Sequence, residues 1–325
     1  MEDSQKLNSI NNVKDLIVRL KDKRIGELER VVLPKQVIKN MSLKELEAYH
    51  FNLRKYDFYH GRALNKIQLR KAIHKILWTG IKVSRYLDKD KLTIMGDKRE
   101  KRKGPVIYAC THIGGKDVER VFEAIKDHAY LFLGDPKDIY RDFTGKILNG
   151  NGVICFETQN KEDRKIAVRR AIELLQKGGS LLIFPEGAWN ITETLPVMKL
   201  YSGAIKMAKA TNVEIVPVAI EQYGNHFYCN IGKNNKDYQN YDIIEAKKIL
   251  REQLATLKWE IFESQGIHSR REFPDDCREY LEQFQQEIVN KCPYGFTVED
   301  VKLGMYKEPD LGINEQNFQK VKVKN

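Results

Sequence analysis

Between residues 105 and 232 short apolar runs alternate with longer stretches whose apolar positions recur at helical spacing, and few folds accept that order. The runs "PVIYAC" (105–110), "AYLFLG" (129–134), "GVICFE" (152–157), "SLLIF" (180–184), "EIVPVAI" (214–220) and "HFYCNIG" (226–232) have strand length and are bounded by Gly, Pro, Asp or Asn. "KDVERVFEAIKDH", "NKEDRKIAVRRAIELLQKGG" and "KLYSGAIKMAKATN" lie between them and read as helices. The expectation is an α/β domain: a mixed, largely parallel sheet flanked by helices. In such sheets chemistry collects at the carboxyl ends of strands, which singles out the loops after Cys110, Glu157 and Phe184.

The first of these loops reads "THIGGKD", so His112 and Asp117 flank a strand-to-helix turn loosened by two glycines. An Asp that accepts from one imidazole nitrogen fixes the tautomer and leaves the other as a base. The pair is therefore equipped to deprotonate a hydroxyl. The third loop, "FPEG", ends the most apolar strand: Pro185 stops the ladder, Gly187 permits a tight turn, and Glu186 is left at the rim of the sheet. A plainer role for Glu186, capping the next helix, is open beside that one.

The order "THIGGKD", "GVICFE", "LLIFPEG", "MKLYSGAIKMAKATNVEIVPVAI" resembles the four blocks of the lysophospholipid acyltransferase family, over about residues 90 to 235. The resemblance implies the glycerolipid acyltransferase fold, with His112 as general base on an acceptor hydroxyl and Asp117 orienting it. It implies acyl-CoA or acyl carrier protein as the acyl donor, a lyso-lipid such as 1-acylglycerol-3-phosphate as acceptor, and no cofactor or metal. Pro185, Glu186 and Gly187 would belong to the acceptor-binding part of the site.

Two departures bear on the acceptor. The family's second block closes on an Arg where this chain has Thr158, and its third continues with a Thr and often an Arg where this chain has Ala188 and Trp189. Such arginines suit a phosphate, being planar bidentate donors. Either Arg164, Lys161 or Lys199 takes their place, or the acceptor carries no phosphate there and Trp189 packs on a less charged head group. Two further readings stay open: a lipid-binding member without turnover, and a thioester hydrolase.

Charge is unevenly divided. Of the net +11, residues 1–104 hold 26 Lys+Arg against 13 Asp+Glu, so the remainder is slightly acidic. "HGRALNKIQLRKAIHKILWTGIKVSRYL" (60–87) reads as a basic amphipathic helix, or a pair broken near Gly80. It packs on the α/β domain, lies on an anionic membrane surface, or does both with different faces. Nucleic-acid binding has only charge in its favour, since no recognisable module is present.

The five cysteines are scattered and suggest no disulfide framework or zinc site, and neither a signal peptide nor a spanning helix is legible. The expected setting is the cytoplasm, with peripheral attachment to the inner face of the membrane. The expected organisation is a basic helical segment over 1–88, the α/β domain over 89–243, and a helical extension with a polar tail over 244–325.

Overall fold

The structure is a computed structural model that describes residues 32–62, 66–101, 104–192, 195–266 and 277–307; expectations for 1–31 and for the tail beyond 307 lie outside the described residues. It opens with three helices, α1 (Lys35–Asn40), α2 (Leu43–Tyr59) and α3 (Ile67–Leu87). The α/β order follows: β1 (Lys91–Asp97), β2 (Val106–Cys110), α4 (Asp117–Ile125), β3 (Ala129–Gly134), α5 (Phe143–Asn151), β4 (Val153–Phe156), α6 (Lys161–Gln176), β5 (Ser180–Ile183), α7 (Gly203–Thr211), β6 (Glu214–Tyr223) and β7 (His226–Ile231). Helices α8 (Ile243–Ser264), α9 (Cys277–Asn290) and α10 (Val298–Gly304) complete the described residues.

The seven strands form one sheet in the order β1-β7-β6-β2-β5-β3-β4, and every pairing is parallel except the β6/β7 hairpin. The mixed, largely parallel sheet is as expected, and its central strands are apolar throughout because both faces are covered. Ile107 and Ala109 of β2 point into one core with Leu181, Ile183 and residues of α6, α7 and α8. Val106, Tyr108 and Cys110 point into the other, with Val121 and Ile125 of α4.

Three expectations change. The strand at 106–110 is the second, because "KLTIMGD" forms β1 at the sheet edge, parallel to β7; its alternate residues are exposed, so it lacks a continuous apolar run. Helix α3 runs unbroken through Gly80, where an added Cβ would meet open space. Helix α8, expected to begin an extension, packs on β6 and β7 and sends Leu250 and Leu254 into the core shared with α6 and α7.

The N-terminal helices are tied to the α/β domain by ions. Arg54 of α2 reaches Asp163 at 2.5 Å and Glu157 at 3.4 Å. On α3, Arg85 pairs with Glu123 at 2.9 Å, and just beyond it Asp90 meets the fully buried Arg120 at 3.0 Å. His74, Trp78 and Ile81 face inward, while Leu69, Ile76, Val83, Tyr86 and Leu87 are exposed. No helix among the described residues is long and apolar enough to cross a membrane.

Candidate active site

Strands β2 and β5 are neighbours, with Ala109 opposite Ile183, so the loops that leave their carboxyl ends meet. The β2 loop carries His112 and the β5 loop carries "FPEG". At the turn into α4 one oxygen of Asp117, Oδ2, receives three donors: His112 Nδ1 at 2.7 Å and the backbone amides of Ile113 and Gly114, each at 2.9 Å. Asp117 is buried, so those contacts replace the water its carboxylate would otherwise need. With Nδ1 donating to Asp117, Nε2 carries the lone pair; it makes no hydrogen bond among the described residues. The His112 side chain retains 18% of its surface.

Phe184 stacks on the imidazole at 4.1 Å, and Trp189 meets it edge-on at 6.2 Å. Gly114, at φ +81°, lies against the indole, so that a Cβ there would sit 3.2 Å from Trp189. The imidazole is thus held by a buried acid on one nitrogen and by apolar rings around its faces.

Glu186 points inward. It has no exposed surface and accepts from the His112 amide at 2.9 Å and the Met198 amide at 2.8 Å. Burial pushes its carboxyl above the ordinary range, and the two amides oppose that rise. Its contacts make it the brace of the His112 loop, with no capping bond to the next helix among the described residues. Pro185 is buried, its carbonyl accepting from the Tyr201 amide at 2.8 Å, and Gly187 takes φ +76° where a Cβ would lie 2.4 Å from the Tyr201 ring.

Thr158 and Arg164 meet this group at its far side, where Arg164 and Asp135 act electrostatically on the Tyr201 hydroxyl. They follow β4, and β5 and β3 intervene between β4 and the strand that leads to His112. Thr158 donates from its amide (2.8 Å) and its hydroxyl to the carboxylate of Asp135, and the Arg164 guanidinium donates to the Thr158 carbonyl. Nearby, burial raises Glu157 to about 7 against the pull of Arg54, with Glu47, Asp135 and Asp163 adding like charge.

Two contributors to the site were not legible in the sequence. Arg251 of α8 donates through Nε to the carbonyls of Val197 (3.1 Å) and Met198 (3.0 Å), and through Nη2 to Val197 again at 2.8 Å, fixing the strap that holds Glu186. Thr111 bonds with both its hydroxyl donor and acceptor to Ile220, locking the His112 loop to β6. Nothing local marks either residue, because their partners lie 53 to 109 positions away.

Residues 91–221 match the Acyltransferase family model. A 1-acyl-sn-glycerol-3-phosphate acyltransferase of Borreliella burgdorferi is 30% identical over 151 residues, covering 46% of this chain and 59% of that protein. The chloroplastic 1-acyl-sn-glycerol-3-phosphate acyltransferase LPAT1 of Arabidopsis thaliana is 25% identical over 154 residues, covering 46% of this chain and 41% of that protein. The chain thus spans about half the length of the curated relatives it matches. The crystal structure of the 1-acyl-sn-glycerophosphate acyltransferase PlsC from Thermotoga maritima superposes with a TM-score of 0.50 at 15% identity, covering 73% of this chain and all of that one, a likeness of fold. With its motif blocks arranged around one strand-end site, the segment 91–221 carries an acyltransferase domain similar to that of the 1-acyl-sn-glycerol-3-phosphate acyltransferases.

Proposed function

We propose that this chain transfers a fatty acyl group from an acyl thioester, on coenzyme A or acyl carrier protein, to a hydroxyl of a lysophospholipid at a membrane surface. The observation that carries the reading is the His112–Asp117 pair, with Nδ1 bound at 2.7 Å and the side chain partly open beside a buried acid. In the proposed step His112 Nε2 takes the acceptor's hydroxyl proton as the oxygen attacks the thioester carbonyl. Asp117 stabilises the imidazolium that forms. Collapse of the tetrahedral intermediate breaks the carbon–sulfur bond, and the thiolate recovers its proton from Nε2. The thioester is already activated, so the proposed chemistry uses no cofactor or metal. The exposed apolar and basic face of α3 supports docking on an anionic membrane, here the cytoplasmic inner face.

The acceptor divides into two readings. The relatives are named for 1-acylglycerol-3-phosphate. The Asp135–Thr158 contact favours a head group with less negative charge at that position. Labelled acyl-CoA and acyl carrier protein, each offered with lysophosphatidate, lysophosphatidylcholine and an uncharged lyso-lipid, test both at once. Transfer should fall by about 10²–10⁴-fold in His112→Ala. Turnover near the wild-type level in that variant would sink the mechanism, and strict preference for lysophosphatidate would remove the second acceptor.

A further inference from the structure

Helices α9 and α10 lie beyond the residues that match the family, yet they close over the candidate site. Ile288, Val289 and Val301 form a small separate core with Ala188, Ile191 and Met198 of the β5 loop. Phe296, between the two helices, places its ring 5.1 Å from Trp189, which in turn stands 6.2 Å from His112. Lys137 ties the cover down, with its ammonium 2.8 Å from Asp300 and 4.1 Å from the centre of the Phe296 ring. At the other end the Tyr201 hydroxyl donates to the carbonyls of Gly304 (3.1 Å) and Met305 (3.2 Å). The backbones of Gly187 and Gly304 approach so closely that a Cβ on either would lie 3.0 Å from the other's carbonyl oxygen.

A histidine base beside a bound thioester can deprotonate water as readily as a lipid hydroxyl. Water attack gives a carboxylic acid and a free thiol, and the donor is spent. An acyltransferase must therefore keep water away from the base until the acceptor arrives, and apolar surface over the site is the means. We infer that the α9–α10 segment is a water-excluding roof, and that Phe296, packed on Trp189, sets the partition of the acyl group between acceptor and water. The inference rests on the functional reading above and deepens it: Trp189, apart from any contact with a head group, is the face on which the roof sits.

The test follows a labelled acyl group from acyl-CoA into free fatty acid and into acylated lysophosphatidate in detergent micelles, using the full chain. Phe296→Ala should raise the ratio of hydrolysis to transfer by about tenfold, which corresponds to about 1.4 kcal/mol of relative barrier. Phe296→Tyr should restore the wild-type ratio. Asp300→Asn, which weakens both the tie to Lys137 and the Thr297 cap at the start of α10, should move the ratio the same way by a smaller factor. A misfolded variant would lose both products together and leave the ratio of any residual activity unchanged. An unchanged ratio in Phe296→Ala and Asp300→Asn at near-wild-type total turnover, or faster transfer without added hydrolysis, would overturn the roof. A wild-type chain that moves the acyl group to neither lipid nor water would overturn the functional reading itself.

Discussion

Glu186 braces the loop of His112 from below, its buried carboxylate accepting the His112 amide at 2.9 Å while its other oxygen takes the Met198 amide at 2.8 Å. Two acceptors are needed at that point, and only a carboxylate offers both. Glu186→Gln turns one acceptor into an NH₂ group facing a backbone N–H, a buried mismatch worth about 1–3 kcal/mol. The variant should lose denaturant stability by that amount and acyl transfer by about tenfold, the rate following the displaced loop. Equal stability and equal transfer in Glu186→Gln and wild type would show that the His112 loop does not depend on the two carboxylate acceptors.

Arg251 works one step further out. Its three contacts to the Val197 and Met198 carbonyls hold the strap whose amide reaches Glu186. On the proposed mechanism Arg251→Met should lower kcat by about tenfold with little change in KM for the donor, because it disturbs the loop that carries His112. Arg251→Lys should recover part of the rate, a single ammonium being unable to span two carbonyls as a guanidinium does. Steady-state kinetics on the three proteins check the split, and equal loss in Lys and Met would contradict it.

The parts of this molecule legible in its sequence were those fixed by short-range physics. Strands buried on both faces write themselves as apolar runs, and the His112–Asp117 and "FPEG" turns sit where such runs end. β1 was missed because Lys91, Thr93, Met95 and Asp97 are exposed, leaving Leu92 and Ile94 as its inward pattern. Gly80 looked like a break because glycine costs a helix about 1 kcal/mol; Trp78 and Ile81, anchored inward on either side, hold the helix straight. Helix α10 is seven residues, and only its Thr297/Asp300 capping box could have announced it. The inward turn of Glu186 depends on amides brought together by the fold, 74 and 12 positions away, which no local pattern encodes.

Glu157 makes stability depend on pH. It lies 3.4 Å from Arg54, yet burial and the neighbouring acids raise it from 4.5 to about 7, because Arg54 gives its closer contact, at 2.5 Å, to Asp163. A carboxyl raised in the folded state holds a proton that the unfolded chain has already lost. Its contribution is complete below about pH 4.5 and disappears as pH rises through about 7. Glu157→Gln keeps the neutral form at every pH, so it should be more stable than wild type at pH 8 by about 1–3 kcal/mol, and equal to it near pH 4.5. Denaturant titrations at the two pH values decide the matter; a variant less stable at pH 8 would show that the Arg54 pairing outweighs the cost of burying the charge.

The outer face of α3 carries the last expectation. Ile76 is 75% exposed and Val83 54%, seven residues apart on one side of the helix with Leu69, while Lys75 and Lys82 are exposed on the same face. In water those side chains gain nothing, whereas burying one in the acyl boundary of a bilayer is worth about 1.5–3 kcal/mol. Ile76→Asp removes that gain and adds a charge repelled by anionic lipid, so co-sedimentation with vesicles rich in phosphatidylserine should fall by about tenfold or more. Lys75→Glu with Lys82→Glu should weaken binding chiefly at low ionic strength, the part that salt screens. The melting temperature should hold in Ile76→Asp, whose side chain faces solvent, and fall slightly in the double lysine variant, which loses the Lys82 ammonium's place 3.6 Å from the centre of the Trp78 ring. Vesicle binding that ignores Ile76→Asp and salt alike would place the docking surface elsewhere on the chain.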